Sequence, residues 1–537
     1  MRETVDWPAR DLVSHRAATT PDRPALLEVG AESGFGIDAD TGPVADTESD
    51  GEWTWTYREY DRRVDRVAAA LQGTGLRGKR IGVLMGTRAA FATVFFAAMR
   101  LGAVVVPLNV RETEPELAAK VERTEVSRIV CERDTESLAL DLLDREEPVF
   151  SVDDPASTRA SRLPGAETTV DAGGAETVEP APLERDDTQL ILFTSGTSGD
   201  PKGVRLTVGN LVASATASAF RLGVDPADRW LCCLPMYHMG GLAPAIRSAL
   251  YGTTLVIQRE FGPDSTARAL AERDVTGVSL VPTMCKRLLD AGWEPADTLR
   301  FVLLGGAPAS EELLERCLES GVPVHPTYGM TETASQIATA TPAEIVAPER
   351  RATVGTPLSF TDVAVVDEAG DPVPAGEPGE LVVSGPTVTP GYLEDPHADT
   401  AFGERGLHTG DIGYRDESGR LWVLNRRDDR IVTGGENVDP GEVVAALRAH
   451  LAIEEAAVVG LEDPEWGQRV AALLVPSDPE TRPPLEEILG HCDERLAGFK
   501  RPKTIGFARL LPRTASGTVD REAVRERLLA DGVDATN

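Results

Sequence analysis

The sequence predicts an α/β chain in which a large N-terminal domain of helix-covered sheets precedes a small α+β domain at the C-terminus. Three observations carry that expectation. Apolar strand-like runs alternate with helix-like segments as far as the glycines at 305 and 306, which is the signature of βαβ units and a parallel sheet. Beyond Gly376 the texture changes to short strands, "GELVVSG" and "LWVLN", separated by glycine turns. After "NRRDDRIVTGGENVDP" the pattern restarts, so the boundary is placed between residues 1–427 and 428–537.

Taken in order, "RIGVLMGTRAAFATVFFAAMRLGAVVVPLN" (80–109) has a strand-like run, a middle rich in Ala and Phe, and a second apolar run; it reads as one βαβ unit. "QLILF" (189–193) reads as a buried strand. "TTLVIQ" precedes a helical "STARALAERD" and a strand "GVSLVP", and "RFVLLGG" precedes the helix "SEELLERCLESG". Pro-, Gly- and acid-rich spans at about 31–51 and 153–187 read as surface insertions. In the tail, "AAVVGLEDPEWGQRVAALLVP" predicts a hairpin and "LEEILGHCDERLAGF" a helix.

Composition bounds the function. At 537 residues and 41% hydrophobic, the chain can bury substantial cores. No run approaches the ~18 apolar residues of a membrane span, and "MRETVDWPARDL" has no signal-peptide core, so a cytoplasmic location without membrane insertion is expected. The six cysteines, including the vicinal Cys232 and Cys233, lack zinc-ligand spacing and read as reduced core thiols. A formal charge of −33 argues against nucleic acid as a partner, because no basic face is present to release counterions. Lysine occurs only at 79, 120, 202, 286, 500 and 503, and acidic residues crowd stretches such as "DADTGPVADTESDGE"; this resembles a halophile's proteome and points to a halophilic archaeon, with an acidic protein of a high-GC organism as the plainer alternative. Homo-oligomerisation is left open.

"TSGTSGDPKGV" (194–204) crowds small hydroxyl residues and glycines ahead of a single lysine, Lys202. Such a run turns amides and hydroxyls onto one anion, since glycine reaches backbone angles other residues avoid. Lys202 is followed by Gly203, so the run departs from the P-loop pattern and is a phosphate loop of another kind. A flexible linker is the plainer alternative.

The glycine loop, "PTYGMTE", "HTGDIG" and "NRRDDRIVTGGENV" follow one another in this order, and with them the chain resembles the acyl-adenylate-forming (AMP-binding) enzymes along essentially its whole length. The resemblance implies a large adenylate-forming N-terminal domain hinged to a mobile C-terminal one, and an acid-thiol ligase that joins a carboxylate to AMP from ATP and passes the acyl group to coenzyme A. ATP, Mg²⁺ and coenzyme A are the implied cofactor and co-substrates. By the same resemblance Thr194, Ser195, Gly196, Thr197, Ser198, Gly199 and Lys202 hold the β- and γ-phosphates. Tyr328 offers a face to adenine, Thr331 a hydroxyl near the α-phosphate and Glu332 a carboxylate for Mg²⁺. Asp411 accepts from the ribose hydroxyls with Arg426 beside it, Asp428 is the hinge, and Gly434 and Gly435 line the pantetheine tunnel. Taken singly, each could be an ordinary turn residue.

"LPMYHMGGLAPAIRSALYGTTLVIQ" and "GGAPASEELLERCLESGVPVHPTYGMTETASQI" are similar to the o-succinylbenzoate-CoA ligases of menaquinone synthesis. In that family the position of His238 lines the acyl pocket and gates the thiol tunnel. A substrate with a second, spectator carboxylate needs a cation or polar cluster, because an unpartnered buried carboxylate is costly. Arg247, on the apolar "LAPAIRSAL" helix, is the candidate, with a solvated or capping arginine as the alternative. Thr283, Gly305, Gly306, Ala307, Ser335 and Gln336 complete the expected pocket. One position departs from the family: after "PRTASG" Thr518 stands where the adenylation lysine is expected, which leaves Arg521 or Lys500 as substitutes, or a slower or impaired first half-reaction. The rival readings are an aryl- or fatty-acyl-CoA ligase and a protein that binds nucleotide or acyl-adenylate without synthesis.

Overall fold

The structure is a computed structural model that describes residues 11–29, 53–72, 76, 78–164, 178–194, 201–393, 401–426, 431–433, 436–438, 440–464, 466–478, 481–514 and 519–535. It divides into two compact units, 1–362 with 383–402, and 363–382 with 403–537. The division falls ahead of the boundary expected between 427 and 428, because the sheet built from "GELVVSG" and "LWVLN" groups mainly with the C-terminal residues.

In the first unit a nine-stranded sheet runs, in spatial order, Trp53–Thr56, Pro24–Val29, Thr254–Gln258, Arg229–Cys232, Gly277–Leu280, Phe301–Leu304, Val324–Met330, Ser335–Thr339 and Thr356–Pro357. The six strands from Pro24–Val29 to Val324–Met330 are parallel, and the edges are antiparallel. The strands Gly277–Leu280 and Phe301–Leu304 are buried along their whole length, as apolar runs covered on both faces should be.

A seven-stranded sheet in the same unit runs Ala160–Arg162, Val149–Ser151, Ile129–Cys131, Arg80–Leu84, Val104–Pro107, Thr188–Thr194 and Lys202–Thr207. Strand Arg80–Leu84, helix Ala89–Arg100 and strand Val104–Pro107 form the expected βαβ unit, with the two strands parallel. The helix is apolar on every side, and all twelve of its residues are buried. Its Phe95 and Phe96 meet edge to face at 5.3 Å.

The span 153–187 corrects the expectation of a plain surface insertion. Ala160–Arg162 adds an edge strand, and Leu163, Val178 and Ala181 are buried. These apolar residues pin the described parts of the span to the core, and 165–177 lie outside the described residues. The span 31–51 lies outside the described residues.

The second unit carries a five-stranded sheet and a six-stranded one. In the first, Gly406–Arg415 pairs antiparallel with Leu421–Arg426. In the second, Ile453–Asp463 and Gly467–Pro476 form the expected hairpin, and the helix expected at "LEEILGHCDERLAGF" is Leu485–Asp493. All six cysteines are buried free thiols.

Candidate active site

In parallel sheets ligands gather beyond the carboxyl ends of the strands. There the nine-stranded sheet delivers several of the predicted residues of the first unit. Strand Arg229–Cys232 leads to His238, Gly277–Leu280 to Thr283, Phe301–Leu304 to Gly305, Gly306 and Ala307, and Val324–Met330 to Tyr328, Thr331 and Glu332.

The turn to His238 is held from the other sheet. Thr87 Oγ1 donates to the Leu234 carbonyl (3.0 Å) and accepts from the Met236 amide (3.1 Å). His238 is the N-cap residue of helix Met239–Tyr251 and meets Tyr237 edge to face at 4.9 Å. Its Nε2 is buried with no protein partner. Burial, with Lys120 and Arg111 adding to it, pushes the imidazole pKa down to about 4, so the ring is neutral at pH 7.

Arg247 follows on the same helix and is 2% exposed. Its Nη2 donates to Ser335 Oγ (3.1 Å), and its guanidinium carbon lies 5.2 Å from the Trp230 ring centre. No carboxylate among the described residues pairs with it, and Nε has no partner. Burial lowers its pKa. The alternative of a solvated arginine is therefore set aside.

Ser335 sits in a forced backbone. Ala334 and Ser335 have φ of 52° and 123°, unusual for residues with a side chain. The opposite strand admits this only because residue 329 is glycine: a Cβ there would lie 1.7 Å from the Ser335 carbonyl oxygen. Gln336 is buried, donating from Nε2 to Thr339 Oγ1 (2.7 Å), while its Oε1 has no partner. Gly305 likewise leaves room for Thr327, whose Cγ2 would be 2.5 Å from an added Cβ, and Gly306 has φ +79°. Thr283, expected in the pocket lining, is exposed in the first turn of helix Pro282–Asp290.

Thr194 and Lys202 face each other across the hairpin of strands Thr188–Thr194 and Lys202–Thr207. The glycine loop joins these two strands, with Ser195, Gly196, Thr197, Ser198 and Gly199 outside the described residues. Both flanks are braced by helix Glu114–Arg123: Lys120 and Arg123 each lie 5.2 Å from the Phe193 ring, and Arg123 Nη1 donates to the Pro201 carbonyl (2.7 Å).

Lys202 Nζ lies 4.8 Å from the ring centre of Tyr392, whose hydroxyl donates to Glu332 Oε1 at 3.1 Å. Glu332 is 7% exposed, a buried carboxylate oxygen of the kind a hard cation prefers. Tyr392 was not among the expected site residues. Its signal is one aromatic in "GYLEDP", with no periodicity or motif of its own.

In the second unit Asp411 is 6% exposed and faces Arg426 across neighbouring strands, with Oδ1 3.1 Å from Arg426 Nε. Lys500 pairs with Glu442 at 2.6 Å. Asp428, Gly434, Gly435 and Thr518 lie outside the described residues.

This arrangement belongs to a known class. Residues 13–393 match the AMP-binding enzyme family and 442–518 match the AMP-binding enzyme C-terminal domain. The chain belongs to the AMP-binding enzyme family. It is 39% identical over 475 residues to a 2-succinylbenzoate-CoA ligase of Bacillus cereus (strain Q1), covering 88% of this chain and 93% of that one. Among solved structures it resembles an o-succinylbenzoate CoA synthetase from Bacillus subtilis in complex with the acyl-adenylate intermediate (32% identity, TM-score 0.83, 98% and 99% of the two chains). It also resembles ATP-bound MatB from Rhodopseudomonas palustris (27% identity, TM-score 0.83, 96% and 98%).

Proposed function

We propose that this chain is an acid-thiol ligase that activates o-succinylbenzoate with ATP and transfers the acyl group to coenzyme A, in menaquinone biosynthesis. The observation that carries the substrate is Arg247, a buried guanidinium without a carboxylate partner among the described residues. A buried cation that meets the Ser335 hydroxyl, the Trp230 face and Tyr251 but no carboxylate among the described residues is matched to a bound anion. In this reading the spectator carboxylate meets Arg247 and Ser335, with Gln336 offering a further hydrogen bond.

The other carboxylate attacks the α-phosphorus, and pyrophosphate leaves. Lys202 and the glycine loop hold the β- and γ-phosphates, Thr331 the α-phosphate, Tyr328 the adenine, and Asp411 with Arg426 the ribose. Bound Mg²⁺ would be held by Glu332 and would neutralise charge on the phosphates. His238 is neutral at pH 7, so it lines the acyl pocket without adding a charge that competes with Arg247. Asp428 is the hinge that turns the C-terminal domain for thioester formation, with Gly434 and Gly435 lining the pantetheine path.

Thr518 favours a second reading in which adenylation is slowed. Lys500 is already paired with Glu442, which makes it a weak substitute for the missing cation. Thr518→Lys is expected to raise the adenylation rate, read as ATP–pyrophosphate exchange; an unchanged rate means another group fills the role.

The test is pyrophosphate release with o-succinylbenzoate, ATP and Mg²⁺ at high KCl, with and without coenzyme A, beside benzoate and octanoate. Selective turnover of o-succinylbenzoate is expected. Turnover of the controls alone would move the assignment to another acyl-CoA ligase, and ATP binding without release from any acid would leave a nucleotide-binding protein.

A further inference from the structure

The segment 386–393 runs as a strap beside strand Lys202–Thr207, with an antiparallel bridge between Val204 and Tyr392. Asn210 Nδ2 donates to the carbonyls of Pro386 (2.9 Å) and Val388 (2.8 Å), and the Leu393 amide donates to the Gly203 carbonyl (2.8 Å). The Arg205 amide donates to the Gly391 carbonyl (3.3 Å), and Thr389 Oγ1 donates to the Arg205 carbonyl. The strap also reaches the other sheet, where the Thr389 amide donates to the Glu332 carbonyl at 2.7 Å. The backbone around Tyr392 is therefore held by hydrogen bonds on both sides.

The Tyr392 side chain meets two groups of opposite charge, one on strand Lys202–Thr207 and one in the turn Thr331–Thr333 that joins two strands of the nine-stranded sheet. Its ring lies 4.8 Å from Lys202 Nζ, and its hydroxyl donates to Glu332 Oε1 at 3.1 Å. We infer that Tyr392 is a positioning residue that sets the ammonium at the end of the glycine loop and the carboxylate of "TYGMTE" in one fixed relation. The inference rests on the adenylation reading above, in which both groups face the phosphates of ATP.

The two contacts act through different chemistry and separate by substitution. The ring holds the cation through its quadrupole and limits where a flexible lysine can go. The hydroxyl donates to one carboxylate oxygen and so restrains how the Glu332 carboxylate can turn. A phenylalanine keeps the ring and deletes the hydroxyl, whereas a leucine deletes both.

The experiment uses the full chain and measures equilibrium binding of ATP by calorimetry, in EDTA and with Mg²⁺, for the parent, Tyr392→Phe and Tyr392→Leu. It is accompanied by kcat and KM for o-succinylbenzoate and by Tm. For Tyr392→Phe, metal-free ATP affinity is expected to stay within about two-fold of the parent, while the tightening brought by Mg²⁺ and the value of kcat each fall about ten-fold, the scale of a hydrogen bond to a charged group. KM for o-succinylbenzoate is expected to be unchanged. Tyr392→Leu is expected to weaken metal-free ATP binding as well, by about three-fold.

Tyr392→Phe that matches the parent in Mg²⁺-dependent binding and in kcat overturns the inference. So does an equal loss of both binding modes with a lowered Tm, since that is the mark of a strap that merely holds the fold. A parent chain that binds no ATP brings down the adenylation reading first, and the inference with it.

Discussion

A guanidinium removed from water, with a hydroxyl and aromatic rings but no carboxylate beside it among the described residues, pulls the fold and the proposed function in opposite directions at Arg247. Its replacement by an apolar side chain of similar length removes an uncompensated buried charge, so Arg247→Met is expected to keep or raise the melting temperature. The same change should lower kcat/KM for o-succinylbenzoate by about 100-fold, while benzoate turnover changes little, because a buried carboxylate loses its partner only when the substrate carries a second one. Equal losses for both acids would remove Arg247 from the recognition of the spectator carboxylate. His238 gives a prediction with a definite sign in pH. Its folded pKa near 4 lies below the ordinary 6.5, so between these values the unfolded chain binds a proton that the folded chain does not. Stability therefore falls as pH drops through that window, by about 2 kcal/mol from this group at about pH 5. Denaturation at about pH 7.5 and pH 5 should show a smaller acid loss for His238→Gln than for the parent; an identical loss would mean that the imidazole is not desolvated. Both residues were legible in the sequence, Arg247 as a lone charge on an apolar helix and His238 through its motif. Tyr392 was not, because its meaning lies in which two strands its strap touches, and a single tyrosine carries no trace of that.

At the scale of elements, helix Ala89–Arg100 is anchored by the charge at its end. Arg100 is 2% exposed and donates through Nε and Nη2 to Asp11 (2.9 and 3.1 Å), with Asp61 and Asp65 within reach. Asp11 is itself the N-cap of helix Leu12–Thr19, accepting from the Ser14 amide at 3.1 Å, and Asp61 and Asp65 belong to helix Tyr57–Gln72. One guanidinium thus ties three helices. Arg100→Met should cost about 3–5 kcal/mol, because it leaves Asp11 buried without its cation, and Arg100→Met with Asp11→Asn should recover part of that loss. Urea unfolding of the single and double variants measures it; additive losses would show that the pair is not coupled. The βαβ unit around this helix could be read from its apolar runs, since period and length distinguish strand from helix locally. The order of the sheet could not. Strand Pro24–Val29 lies beside Thr254–Gln258, and Arg229–Cys232 separates Thr254–Gln258 from Gly277–Leu280 although those two follow each other in the chain. Nothing in a strand's own residues states which distant neighbour it will pair with.

For the whole molecule the governing quantity is charge. The formal charge of −33 is spread over a fold whose cores are ordinary, buried aliphatic and aromatic clusters in both units. Hydrophobic burial must therefore overcome a self-repulsion that grows as salt is removed. Two explanations of the acidity predict different salt curves. If the acidic residues are only surplus charge, screening should finish early: the Debye length is already about 10 Å at 0.1 M and about 3 Å at 1 M, so the melting temperature should level off by a few tenths molar. If the acidic surface is adapted to high salt, the melting temperature should keep rising above about 1 M KCl, where only close carboxylate pairs remain to be relieved. The measurement is Tm from about 0.05 to 3 M KCl, read beside the rate of pyrophosphate release across the same range. An early plateau in both would reduce the composition to an acidic protein without salt adaptation. A late rise in Tm with a parallel rise in turnover would place the adaptation in the enzyme as it works, since ATP is an anion approaching an anionic surface, and added salt shortens the range over which that surface repels it.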